Sequence, residues 1–186
     1  IDNLDGLGSI DYTAVLCADV PVTVERVLNT PSRCSGALIV GSPANPGAGA
    51  LPPVPVRRGR VVVSSDSGTV LFTGYLATEP APVYVGVGIG GPVYRAVFSA
   101  ISDEWLLDKQ TVTLTSTGFQ QAGGTLLETL TNRIEAGFLT TSGVTSVRPV
   151  GVFEPETAQA WSTNAAALAR STYAAYRVLN GELVMQ

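Results

Sequence analysis

The chain has 186 residues, a net charge of −4 and a pI of about 4.7, enough length for one domain or a domain with a small appendage. Hydrophobic residues make up 45% and charged residues 14%, which argues against disorder and leaves less charge than a soluble surface usually carries. Lys109 is the sole lysine, and of the arginines only Arg57, Arg58 and Arg60 cluster, so a phosphate-binding surface is not expected and no nucleic-acid partner is assigned. The absence of histidine removes the commonest general base, the Ser-His-Asp and Cys-His arrangements and the usual catalytic zinc sites.

In chain order, Ile10–Ala18 alternates as a strand, and Val22–Leu28 is a second β-prone run that ends in the turn Asn29-Thr30-Pro31-Ser32. Cys34–Val40 is a third strand. Cys17 and Cys34 fit either two buried thiols, the favoured reading, or one disulfide between neighbouring strands. Gly41–Pro55, with five prolines and no charge, reads as an extended, mobile arm, either an interaction arm or a tolerated insertion. Arg60–Ser64 and Thr69–Leu76 form a hairpin across Ser65–Gly68, and Gly74 marks a bulge or a close backbone approach. Val83–Val87, a glycine-rich turn over Gly86–Gly91 and the long strand Val93–Ile101 follow.

Ser102 or Asp103 is the expected cap of a short helix through Lys109, with Trp105, Leu106 and Leu107 buried. Gln110–Ser116 and Phe138–Pro149 are β-prone. Thr125–Arg133 and Thr163–Ala174 are expected helices, and Asn180-Gly181 predicts a type I′ hairpin between Arg177–Leu179 and Glu182–Met185. The fold class is therefore mainly β with an α+β extension: a small β-barrel or sandwich with two short helices. A strand-rich, barrel-like domain spans 1–117, and a mixed β/α part spans 118–186. The start, without a basic segment or signal-peptide core, and the end, inside an apparent strand, suggest a fragment of a longer chain. No apolar run reaches the length of a membrane span.

The candidate chemical motifs have structural readings that compete with them. Gly86, Gly88 and Gly91 spell GxGxxG, but Pro92 and a β-prone run follow where a nucleotide site needs a helix. Asp103, Glu104 and Asp108 are the densest carboxylates, read as a helix start before a metal or catalytic site. Lys109 lacks a preceding SxxK and reads as a helix C-terminal charge. Trp105, Trp161, Tyr173 and Tyr176 read as core before a sugar-stacking platform. No catalytic residue, cofactor or metal is assigned.

The run VVVSSDSGTVLFTGYL, the corner AISDEWLLDKQTV and the segment TLLETLTNRI together resemble the first domain of phage tail and baseplate hub proteins and of related contractile-injection hubs. VERVLNTPSRCSGALIV and the C-terminal FEPETAQAWSTNAAALARSTYAAYRVLNGELVMQ are similar to that family's early strand step and to the opening of its next subdomain. The resemblance implies a non-enzymatic, ring-forming structural protein of a virion tail or injection apparatus, with other tail or baseplate proteins as partners and a homo-oligomer, a trimer, as the working state. Leu51, Val54 and Arg57 in the arm and Asp103 and Glu104 at the acidic corner are the candidate contact residues. The alternative is a ligand-binding, perhaps carbohydrate-binding, β module of a secreted or cell-surface protein.

Overall fold

The computed structural model describes residues 1–44, 51–109, 118–119, 140–144, 148–150, 152–153 and 159–186. Residues 1–25 with 33–101 form one compact unit, and residues 26–32 with 102–186 form another. The expected helix Thr125–Arg133 and strand Gln110–Ser116 lie outside the described residues.

The first unit is built on one long strand. Here β1 is Thr23–Glu25, β2 Arg33–Val40, β3 Arg60–Ser64, β4 Val70–Leu76, β5 Pro82–Gly88 and β6 Gly91–Ser102. β2 runs antiparallel to β6 in register from Arg33↔Ile101 to Val40↔Tyr94. The other edge of β6 takes β5 over its first half and β4 beyond, giving the order β1-β2-β6-β4-β3 with β5 alongside β6. β1 is three residues long and pairs with β2, and β3 pairs with β4, so the sheet stays open among the described residues instead of closing as a barrel.

Alternation decides which face is buried. Cys34, Leu38 and Val40 of β2 join Val61, Phe72, Leu76, Ala96, Phe98 and Ala100 in one apolar core, with Tyr12 inserted beside them. The expected strand over Ile10–Ala18 does not form. Asp11 Oδ1 accepts the Thr13 N–H at 2.8 Å and starts a 3₁₀ turn over Thr13–Val15, and the segment meets β2 through an isolated bridge from Leu16 to Leu38 and the Cys17 N–H, which donates to the Ala37 carbonyl at 2.9 Å. Gly74 is a close approach: a methyl group there would overlap the Ile101 carbonyl and the Phe72 ring. Cys17 and Cys34 are both buried and free, and burial pushes the Cys34 thiol up to about 11.

In the second unit, α1 is Glu104–Asp108, α2 is Trp161–Ser171, and the strands are β7 (Gly118–Phe119), β8 (Thr140–Val144), β9 (Val152–Phe153), β10 (Tyr176–Leu179) and β11 (Glu182–Met185). β10 and β11 form the expected hairpin, with Asn180 at φ 53° and Gly181 at φ 72°, both in the left-handed region that a type I′ turn requires. β8 adds parallel to β11. β7 pairs antiparallel with β9. Trp161, Ala165, Leu168 and Ala169 on one face of α2 pack with Leu107, Tyr176, Val178, Leu183 and Met185. Among the described residues no helix is long and apolar enough to cross a membrane.

Candidate functional site

Three regions bear on function: the proline-rich segment, the acidic corner and the β5–β6 hairpin.

The described second half of the arm is fastened down rather than mobile. The Gly41 N–H donates to the Pro52 carbonyl at 3.0 Å, the Tyr12 hydroxyl to the Pro53 carbonyl at 2.9 Å, and the Val56 N–H to Asn3 Oδ1 at 3.1 Å. Prolines leave their carbonyls as the only backbone groups to satisfy, and two of these three bonds use them. Leu51 and Val54 are half-buried, Val54 against the first core, and Arg57 is exposed. Of the three arm residues, Arg57 offers the most surface.

The acidic corner faces inward. Asp103 is 2% and Glu104 1% exposed, so neither carboxylate presents a surface in this chain. The expected Asp103 cap is absent: Asp103 has helical backbone angles and makes no side-chain capping bond, and its Oδ2 accepts the Gly181 N–H at 3.0 Å. Asp108, at the other end of α1, serves α2. It accepts the Ser162 N–H and hydroxyl, each at 2.8 Å, so this carboxylate stands at the α2 N-terminus where the helix's own residue, Ala160, has no side-chain oxygen. Burial raises the Asp108 carboxyl while the two Ser162 bonds pull it down. Burial, reinforced by Asp103 and Asp108, pushes Glu104 up to about 7 against the opposing pull of the Ser102 hydroxyl. Lys109 sits over the Trp105 ring, 5.1 Å from its centroid. Among the described residues, His, Cys, Asp and Glu form no group of three or more suited to a metal.

Trp105 and Trp161 are 7% and 0% exposed, so they build core and supply no stacking platform. Trp161 meets Tyr176 edge to face at 5.5 Å, and the Tyr173 ring, exposed, carries Arg148 at 5.6 Å.

Sequence reasoning missed Asn29. It lies in the left-handed region at φ 55°, and its side chain binds the start of β10: Nδ2 donates to the Ala174 carbonyl at 3.3 Å, and the Tyr176 N–H donates to Oδ1 at 2.8 Å. One amide thus does for β10 what a residue of a neighbouring strand would do. The local signal was the Asn-Thr-Pro-Ser turn, which marks left-handed backbone but not a partner about 145 residues away.

The hairpin of β5 and β6 is the glycine-rich GxGxxG segment. It continues as strand on both sides of Ile89-Gly90, so no helix opens there to hold a phosphate. Val83, Val85, Val87 and Ile89 are all more than half exposed, and Tyr84 stacks edge to face on Tyr94 at 5.7 Å.

This open sheet with a helix-and-hairpin second unit is a tail- and baseplate-type fold, as the resemblance implied. It is similar to a 43 kDa tail protein of prophage MuSo2 from Shewanella oneidensis (TM-score 0.57, 12% identity, 84% of this chain and 46% of that one). It is also similar to a tail protein from Neisseria meningitidis MC58 (TM-score 0.55, 11% identity, 84% and 42%). A third similar structure is an E. coli type VI secretion component described as resembling the T4 tail proteins gp27 and gp5 (TM-score 0.55, 13% identity, 92% and 47%). The chain thus spans less than half the length of each of these structures. No protein-family model and no curated protein matches it.

Proposed function

We propose that this chain is a structural component of a phage-type tail or related injection apparatus, hub-like in position, acting by binding other tail subunits and without catalysis. The observation that carries this reading is the fold shared with tail proteins over 84% or more of the chain. The acidic corner agrees with it: two of its three carboxylates, Asp103 and Asp108, bind backbone and side-chain donors of their own unit. The expected working state is a homo-oligomer of three copies joined to other tail or baseplate proteins. Immunogold labelling of purified particles tests the assignment. Gold at the tail or baseplate is the expected outcome; particles whose tails remain unlabelled while the antibody recognises the free chain would refute it.

A further inference from the structure

The outer edge of β3 borders a strand slot that is only half filled. Asp2 occupies the filled half, bridging Ser9 on one side and Arg60 of β3 on the other. The Asp2 N–H donates to the Arg60 carbonyl at 2.8 Å, and the Arg60 N–H donates back to the Asp2 carbonyl at 2.6 Å. Ile1 is held from the Ile10 side: its carbonyl accepts the Ile10 N–H at 2.8 Å, and its amine donates to the Ile10 carbonyl at 2.7 Å.

Backbone groups two residues apart on a strand point the same way. The N–H and C=O of Val62 and Ser64 therefore follow those of Arg60 outward, away from β4, while the Ser65 N–H turns back to the Thr69 carbonyl. Val62 is 46% exposed, and Ser64 is exposed as well. Beside them the slot continues as an open groove of about 510 Å³, lined across from β3 by Ile10, Asp11 and Thr13 and past the end of β3 by Asp66. The register shift in the β3–β4 ladder skips Leu71 of β4, so β3 keeps its own alternation, and β3 contains no proline. An exposed edge with aligned donors and acceptors, and room alongside, is a template for an added strand.

Charge selects the occupant. Arg60 and the Ile1 amine lie at the filled end, whereas the exposed carboxylates of Asp11 and Asp66 line the groove. A basic strand complements them, and a second copy of a chain with net charge −4 and a single lysine is disfavoured. We infer that β3 takes, along Val62 and Ser64, an extended basic segment of a different protein as an added strand. This goes beyond the assembly reading above by naming an edge and the chemistry of its partner, and gold labelling judges that reading separately.

The probe is the capped pentapeptide acetyl-Lys-Val-Thr-Val-Lys-amide, titrated into the isotope-labelled chain and followed by amide NMR shifts. The Val62 and Ser64 amides are expected to shift along a saturable curve. Glutamates in place of the two lysines should weaken binding about threefold or more, and Asp66→Lys should do the same to the lysine peptide. Val62→Pro removes an outward N–H and leaves the β3–β4 hydrogen bonds in place, so it should weaken binding about tenfold. Asp66 lies exposed in the β3–β4 turn, so Asp66→Lys stays informative even where Val62→Pro fails to fold; thermal melting checks both. No saturable shift at Val62 and Ser64 up to millimolar peptide would overturn the inference. So would equal binding of the lysine and glutamate peptides, or lysine-peptide binding unchanged by Asp66→Lys. Val62 and Ser64 amides already protected from hydrogen exchange without peptide would overturn it too, because the slot would then be filled from within the chain.

Discussion

Glu104 makes the second unit sensitive to pH in the direction opposite to an ordinary salt-bridged carboxylate. Its carboxyl is 1% exposed and rises from 4.5 to about 7 in the folded chain. The folded pKa lies above the unfolded one, so the full contribution to stability is present below about 4.5. It falls as pH rises toward 7 and levels off once the folded carboxyl has itself ionised. At about 1.4 kcal/mol per pH unit, the loss is on the order of 3 kcal/mol. Glu104→Gln keeps the shape and cannot ionise. The variant should therefore match the wild type at pH 4 and exceed its stability increasingly up to pH 8. The assay is urea denaturation followed by tryptophan fluorescence, because both tryptophans, Trp105 and Trp161, lie buried in this unit. A stability difference between variant and wild type that does not change from pH 4 to pH 8 would refute the reasoning.

Two further outcomes follow from single contacts. Asn29→Gly keeps the left-handed backbone and removes the amide, leaving the Tyr176 N–H and Ala174 carbonyl without that partner; it should cost about 1–3 kcal/mol in the same denaturation assay. Gly74→Ala drives a methyl group into the Ile101 carbonyl, and backbone there cannot give way as a side-chain end can; thermal melting should show a loss of 3 kcal/mol or more (~3–5) or no folded protein.

What the sequence made legible was local. The β3–β4 and β10–β11 hairpins follow from short turn signatures between β-prone runs, and Asn180-Gly181 supplied its left-handed backbone as expected. Gly74, in the middle of VLFTGYL, signalled a bulge or a close approach, and it is the close approach that forms. Ile10–Ala18 misled because alternation is blind to Asp11, whose side chain competes for the backbone N–H of Thr13. The acidic corner was half legible. SDE before an apolar run does mark a helix start, but Asp103 and Asp108, on either side of it, bind Gly181 and Ser162, 78 and 54 residues away. No spacing rule reaches that far. The exposed hairpin was visible as a charge-free glycine-rich stretch, yet exposure is a tertiary property, and the same residues would have read as core.

The Asn29 clasp also bears on how the chain acquires its shape in time. Residues 26–32 leave the ribosome before the first unit is complete but belong to the unit whose remaining residues, 102–186, follow it. Their partners at Ala174 and Tyr176 are 145 and 147 positions downstream. Closing so long a loop carries an entropic cost that must be met before the contact returns anything, which slows folding. The second unit is thus expected to finish only after release of nearly the whole segment, with its first-made piece waiting for its last-made hairpin.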